Sequence, residues 1–342
     1  MTSISPNADD PKMAVINGAL ARDPANIALL IAKADYMCEK GNGRLAIPFY
    51  RAALRGAAGR ALPAQVTNDL ERARAFCDRY AREYEKYIYG KLAPLGVTPE
   101  DKSRFAQSLD LMFGRKTIYH QQPSVFYYPE LAQTQFFERA QFPWIDEVEA
   151  ATDAIRAELI DVMKQNGAFV PYIESDPSRP PRDYQGLANS LNWGAFYLFK
   201  NGEGVAENIA RCPATMHALQ SAPLDRIGGR TPTIMFSMLR PKTRIPPHNG
   251  FLNTRLICHL PLIVPPGCGF RVGNDTRSWV EGKAWVFDDT IEHEAWNSSD
   301  QPRAILLFDI WRPDLSDGEK KLVTALLEAV ASFDDSLPEW TA

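Results

Sequence analysis

The sequence predicts an α+β chain in which a helical region precedes a barrel or sandwich of short strands. Three observations point there. Residues 14–90 carry apolar side chains at helical spacing, broken by Gly41-Asn42-Gly43, a helix stop followed by a turn. Beyond about residue 165 the pattern changes to short apolar runs, among them "TIMFSML", "TRLICHLPLIV", "CGFRVG" and "RAILLFDIW", separated by turn clusters such as "PPGCG", "GND" and "EGK". A length of 342 residues is long for one domain and comfortable for two.

In the helical region, "NIALLIAKADYMCEKGNGRLAIPFYRAAL" reads as two helices. Its order of features resembles a tetratricopeptide repeat, with Leu29, Ala32, Tyr36 and Gly41 in the first helix and Ala46, Tyr50 and Ala53 in the second. The preceding "ALARDPAN" reads as the tail of an earlier unit. A third helix over about 64–89 places Leu70, Ala73, Phe76 or Cys77, Tyr80, Tyr84 and Tyr87 at helical spacing. One good repeat with two ragged flanks suits a peptide-docking surface or a helical cap equally well. Thr98-Pro99-Glu100-Asp101 has the composition of a helix start, for a helix running to about Phe113. The boundary is set near residue 115, giving a helical domain over 1–115 and a second domain over 116–342. Residues 114–143 read as an aromatic-rich loop. Residues 144–165 read as one amphipathic helix, with Ile145, Val148, Ile155, Leu159 and Val162 on one face. The chain closes with a helix over about 317–333, opened by the capping box Ser316/Glu319.

Composition narrows the function classes. Hydrophobic residues make up 45% and charged residues 23%, ordinary for a globular protein. A net charge of −4 gives no bulk footprint for nucleic acid or an anionic membrane. The polar, acidic N-terminus lacks the features of a secretory signal, and no apolar run approaches the roughly 20 residues of a spanning helix, so a cytoplasmic protein without a membrane anchor is expected. Five cysteines (38, 77, 212, 258, 268) without paired spacing read as free thiols.

The chemistry concentrates late in the chain. His248 sits beside Asn249 and Gly250 in a turn-like segment. In the following strand Arg255, Ile257 and His259 share one face, and Leu256, Cys258 and Leu260 the other. A cation and an imidazole on one face of an apolar strand mean that this face is not simply core. A satisfied structural histidine with a snorkelling arginine is the bland alternative. His293 follows another strand among acids, and ten residues later Arg303 opens a very apolar strand and calls for an anionic partner, from the protein or from a ligand.

These pieces, "PHNG", "NTRLICHLPLIVP", "GCGFRVGNDTRSWVEGKAWVFDDTIEHEAWN" and an arginine followed by "DIWRP", make residues 232–312 resemble the aspartyl/asparaginyl β-hydroxylase family of iron- and 2-oxoglutarate-dependent oxygenases. Weaker similarity extends through residues 191–219. The resemblance implies a double-stranded β-helix (jelly-roll, cupin-like) barrel with flanking helices, preceded by tetratricopeptide-like helices as in the animal members. It implies Fe(II) and 2-oxoglutarate as cofactors, and hydroxylation of an unactivated C–H bond with release of succinate and CO2. The β-carbon of an Asp- or Asn-like residue in a peptide or protein is one candidate target. By the same resemblance His248 and His293 are the catalytic iron ligands. Arg303 takes the distal carboxylate of 2-oxoglutarate with help from Ser237, and His259 contacts the carboxylate next to the iron. Arg255 falls on a family arginine and is a further candidate to bind the cofactor, and Trp193 and Ile257 are candidates for the substrate side. Glu292, Glu294, Asp288 and Asp289 are candidates to fix the imidazole tautomers.

The departures from the family pattern are specific. Gly250 stands where many members have an iron-binding acid, as it does in the animal hydroxylases. Ile257, Met235 and Ala195 stand where those enzymes have arginine, lysine and glutamine. Losing these polar groups weighs against an acidic or amide side chain as substrate and suits a larger or less acidic group; a membrane lipid is disfavoured, since no hydrophobic anchor is present. A peptide, protein or carrier-linked substrate fits the helical domain, and a small molecule is compatible. Two alternatives follow: a 2-oxoglutarate halogenase using the vacancy at Gly250, and a non-catalytic metal-binding sensor or scaffold barrel.

Overall fold

The computed structural model describes residues 10–101, 103–175 and 185–333. The N-terminal nine residues, on which the secretory-signal expectation falls, lie outside them. The chain divides into two compact units, residues 1–116 and 117–342.

The first unit is helical: α1 (Pro11–Arg22), α2 (Ile27–Glu39), α3 (Gly43–Ala57), α4 (Ala64–Leu92) and α5 (Arg104–Met112). Asp10 and Asn26 cap the first two by accepting backbone N–H groups of Lys12 and Leu29. Gly41, at φ 75°, takes the left-handed conformation that lets the chain turn back into α3. The core joins Leu30, Ile31, Ala34 and Met37 of α2 to Ala46, Tyr50 and Ala53 of α3 and to Leu70, Ala73 and Cys77 of α4. Arg72 grips Asp35 with both terminal nitrogens, at 2.6 and 2.8 Å, while the Tyr50 hydroxyl donates to the same carboxylate.

Three details differ from the sequence reading. The buried face of α2 is centred on Leu30, Ile31 and Ala34, so Leu29 and Ala32 are only half-buried. Tyr84 and Tyr87, at 44% and 61% exposure, lie on the surface because α4 outruns the helices it packs against. The last helix of the unit starts at Arg104, not near Thr98. Asp101 folds its carboxylate onto the N–H and hydroxyl of Ser103, and Ser103 then caps Ala106.

The second unit opens its regular structure with α6 (Ile145–Ala150) and α7 (Thr152–Met163). The expected single helix over 144–165 is broken at Ala151, where the Thr152 hydroxyl bonds back to Glu149 O at 2.6 Å. The apolar face is nonetheless continuous, since Ile145, Val148, Ile155, Leu159 and Val162 are all buried. The strands are β1 (Val170–Pro171), β2 (Trp193–Lys200), β3 (Glu203–Gly204), β4 (Ile234–Leu239), β5 (Thr243–His248), β6 (Arg255–Ile263), β7 (Cys268–Val272), β8 (Asp275–Arg277), β9 (Trp285–Phe287), β10 (His293–Asn297) and β11 (Arg303–Trp311). Short helices α8 (Ala206–Arg211) and α9 (Pro213–Ala218) lie between β3 and β4, and α10 (Asp317–Phe333) follows β11.

These strands form two antiparallel sheets. The larger runs β1-β2-β4-β11-β6-β9 with β3 on β2, and the smaller runs β5-β10-β7-β8. This is a cupin-like β-sandwich, so the architecture as a whole is α+β. Alternation along β6 divides the side chains as expected. Leu256, Cys258, Leu260 and Leu262 join α6 and α7 in the largest core cluster. Ile257 joins a second cluster with Trp193, Ile245, Phe270, Phe287 and Ala295, drawn from both sheets. The central strands are thus buried on both faces, which is why they read as unbroken apolar runs. None of the five cysteines is in a disulfide. Among the described residues, no helix is long and apolar enough to cross a membrane.

Candidate active site

A cavity of about 420 Å³ carries side chains of both sheets on its walls. The larger sheet contributes Trp193 and Ser237, then Arg255, Ile257 and His259 of β6 and Arg303, Ile305, Leu307 and Asp309 of β11. The smaller sheet contributes Ile245 and His248 of β5 and His293 and Ala295 of β10. Trp193, Ser237, His248, Arg255, Ile257, His259, His293 and Arg303, singled out from the sequence, therefore border one space, whereas Asp288, Glu292, Glu294, Met235 and Ala195 do not line it.

The two histidines are register partners. His248, the last residue of β5, lies opposite His293, the first of β10, with ring centroids 4.0 Å apart. Simple alternation would put Ile245 and His248 on opposite faces. The register slips by one residue between these strands, a bulge across Pro246-Pro247 that aims both side chains into the cavity. Two prolines suit that place, since a bulged residue gives up its ladder hydrogen bond. Each Nδ1 faces a carbonyl, Pro246 O at 2.8 Å and Ile291 O at 3.1 Å. Donation from Nδ1 puts the lone pair on Nε2 in both rings. Burial holds both imidazoles below their usual basicity, and for His293 the neighbouring His248 adds to the effect. Two neutral imidazoles with their lone pairs on Nε2, side by side on one cavity wall, are donors of the kind a divalent transition metal takes. Among the described residues, no group of three or more His, Cys, Asp or Glu side chains is arranged to hold a metal. The pair therefore stands alone.

The tautomers are set by backbone carbonyls and not by the acids expected from the sequence. Glu294 takes Arg271 and Arg244, and Glu292 takes Arg271. Asp288 takes Arg312, and Asp289 takes Arg255. Asp289 also fills the space beside Gly250: a side-chain carbon built on that glycine would collide with its carboxylate. The vacancy on which the halogenase alternative rested is occupied by an acid.

Arg303 is 2% exposed, and among the described residues its Nε and Nη1 have no hydrogen-bond partner. Its guanidinium lies 4.7 Å from the ring centroid of Trp279, and burial lowers its pKa to about 10. A buried cation without an anion costs on the order of several kcal/mol, so this position fits an anionic ligand. His259, packed among Phe270, Phe287 and Trp279, also has an unpartnered Nδ1, and burial followed by the charge of Arg303 keeps it neutral. Ser237 accepts the Trp193 indole N–H at 3.2 Å, and its hydroxyl proton remains available for a ligand. Arg255 is committed to two carboxylates: its Nη1 bonds Asp309 at 2.6 Å and its Nη2 bonds Asp289 at 3.3 Å.

Sequence reasoning missed Asp309, Trp279 and Tyr172. Asp309 carried a signal, since a lone acid within "AILLFDIW" needs a buried partner. Tyr172 stacks on Trp193 at 4.0 Å, and Trp279 covers Arg303, but neither contact has a local signature.

Comparison with known proteins now adds to this geometry. Residues 149–313 match the family model described as aspartyl/asparaginyl beta-hydroxylase. Over these residues the chain is similar to the aspartyl/asparaginyl β-hydroxylase family. It is 36% identical over 189 residues to an ornithine lipid ester-linked acyl 2-hydroxylase of Rhizobium tropici, covering 54% of this chain and 63% of that protein. It is 32% identical over 184 residues to the human aspartyl/asparaginyl beta-hydroxylase, covering 53% of this chain and 23% of that one. A third relative, human aspartate beta-hydroxylase domain-containing protein 2, is 32% identical over 205 residues, covering 59% and 53%. The chain thus spans less than two thirds of the length of these β-hydroxylase-family relatives.

Proposed function

We propose that the second unit is an Fe(II)- and 2-oxoglutarate-dependent hydroxylase acting on an unactivated C–H bond in an aliphatic part of its substrate. The observation that carries this reading is the pairing, in one cavity, of two imidazoles with lone pairs on Nε2 and a buried arginine that has no anion among the described residues. A structural metal site would need four closed ligands and would have no use for such an arginine. His248 and His293 would hold the iron, Arg303 and Ser237 the distal carboxylate of 2-oxoglutarate, and His259 the carboxylate next to the metal. Iron with 2-oxoglutarate, when bound, supplies the oxidising power for C–H hydroxylation by O2, with succinate and CO2 released. The chain's own contribution is to bind, orient and keep dry. Arg303 exchanges an unpaired buried charge for a bidentate ion pair. Trp279 holds its guanidinium from one side, and the carbonyls of Pro246 and Ile291 keep each Nδ1 protonated and each Nε2 free.

The wall between the poles favours an aliphatic group. Ile257, Ile245, Leu307 and Trp193 line it, while Met235 and Ala195 are fully buried beside Tyr197. No charged side chain among these could grip a carboxylate or carboxamide at the reacting carbon. An acyl chain, the group named for the rhizobial relative, suits this lining better than an Asp or Asn side chain does. A peptide or carrier-linked substrate remains the second reading, in which residues 1–115 serve as a tetratricopeptide-like docking domain and residues 116–342 as the oxygenase domain.

The test is anaerobic. Fe(II) and then 2-oxoglutarate are added to wild type and to His293→Ala while the visible spectrum is recorded. A weak charge-transfer band confined to wild type is expected. Its absence from wild type that binds iron, with no 2-oxoglutarate consumed in air, would return the barrel to a sensor or scaffold. A mass gain of one oxygen on a medium-chain acyl amphiphile, and none on an acidic peptide, decides between the substrate classes.

A further inference from the structure

We infer that Asp288, clamped by Arg312, is the positioning residue that sets the spacing and aim of both site histidines through one short loop. This rests on the metal-binding reading above and names a device within it.

Asp288 and Arg312 are both fully buried and meet at 2.8 Å. Every acceptor position on the carboxylate is used. Oδ2 takes Arg312 Nη1 and Gln121 Nε2, at 2.8 and 2.5 Å, and Oδ1 takes the N–H and hydroxyl of Thr290, at 3.0 and 2.5 Å. The Thr290 bonds curl residues 288–291 into a tight turn. Arg312 is fixed in its turn by Ala132 O at 2.7 Å and Asp314 at 3.2 Å.

The turn then reaches both imidazoles. Ile291 O faces Nδ1 of His293. Asp289 O accepts the N–H of Gly250 at 2.7 Å, and Thr290 O accepts the Asn249 side-chain amide at 2.8 Å, which together tether the end of β5 directly after His248. Three consecutive carbonyls, at 289, 290 and 291, therefore hold two strand ends that carry one imidazole each. A buried ion pair contributes little to net stability over an apolar pair of the same volume. Its value here is directional, because a carboxylate with four defined donors admits one orientation of the turn. In a site with only two protein ligands, that orientation replaces the constraint a third ligand would give.

The experiment titrates Co(II) into wild type, Asp288→Asn, Arg312→Lys and Asn249→Ala, reading affinity by calorimetry and geometry from the visible ligand-field spectrum. Asp288→Asn keeps the shape but replaces an oxygen acceptor with a donor. A loss of affinity on the order of ten- to a hundredfold and an altered spectrum are expected, with Arg312→Lys intermediate. Asn249→Ala, a half-buried position that does not touch the ion pair, should show a smaller shift of the same kind if the buried variants fail to fold. Wild-type affinity and spectrum in folded Asp288→Asn, or in Asn249→Ala where Asp288→Asn does not fold, overturn the inference. Failure of wild type itself to bind Co(II) would instead overturn the metal reading.

Discussion

His248 and His293 are register partners across β5 and β10, with imidazole centroids 4.0 Å apart. Each ring is anchored by a main-chain carbonyl of its own strand end. Removing one ring therefore deletes a metal donor without breaking a side-chain network. His293→Ala and His248→Ala should each abolish high-affinity divalent metal binding, measured by calorimetry. The metal-free protein should melt within a few degrees of wild type, because the change deletes buried volume and no ion pair. Retention of wild-type affinity in either variant would show that the metal, if one binds, sits elsewhere.

How far this site was legible can be judged residue by residue. The face shared by Arg255, Ile257 and His259 follows from the two-residue period of a strand and needs no tertiary information. The helical region followed by a strand-rich one was visible as a change of period, from helical spacing over residues 14–90 to short runs after residue 165. The inward aim of His248 was not, because it depends on a register slip between β5 and β10. Nor was the fate of the acids. Glu292, Glu294, Asp288 and Asp289 crowd His293 in sequence, yet all four turn to arginines from elsewhere in the fold. Local charge shows that partners must exist, and only the packed structure shows which ones.

Arg303 tests the co-substrate reading. With no anion among the described residues, its guanidinium burdens the ligand-free form. Arg303→Met should leave the metal-free protein as stable as wild type or more so. It should also remove the rise in melting temperature that millimolar 2-oxoglutarate gives the metal-loaded wild type. Charge-assisted hydrogen bonds contribute about 1.5–3 kcal/mol, so apparent affinity for 2-oxoglutarate should fall by roughly tenfold to a hundredfold. Arg303→Lys keeps the charge but loses the bidentate fork and should fall between. Unchanged 2-oxoglutarate binding in Arg303→Met would place the co-substrate elsewhere.

Gly250 explains itself through Asp289. Any side chain at 250 starts inside the space of that carboxylate. Gly250→Ala should destabilise the protein by about 1–3 kcal/mol, the range for overpacking a filled site. Gly250→Asp should do worse, because it adds a second buried acid beside the first, and it should not improve metal affinity as a third ligand would. Replacing Asp289 with glycine in the same chain should recover part of the loss in melting temperature. A stable Gly250→Asp variant that binds Co(II) more tightly than wild type would show that Asp289 swings away easily.

Asp225 gives a pH signature independent of metal and co-substrate. It is 1% exposed, and its carboxyl is held well above the usual value of 3.8, first by burial and then by the nearby Asp309. The attraction of Arg255 works the other way without cancelling this. A carboxyl raised on folding binds its proton more tightly in the native state. Stability therefore falls as pH rises from 3.8 through the folded-state value, because ionisation is easy in the unfolded chain and costly in the fold. Asp225→Asn keeps the shape and removes this titration. Its melting temperature relative to wild type should therefore climb as pH rises from 5 to 8, with the smallest difference at the acid end. A difference that is flat across this range, or that shrinks toward pH 8, would mean that Asp225 is already ionised in the fold and that its partnership with Arg255 outweighs burial.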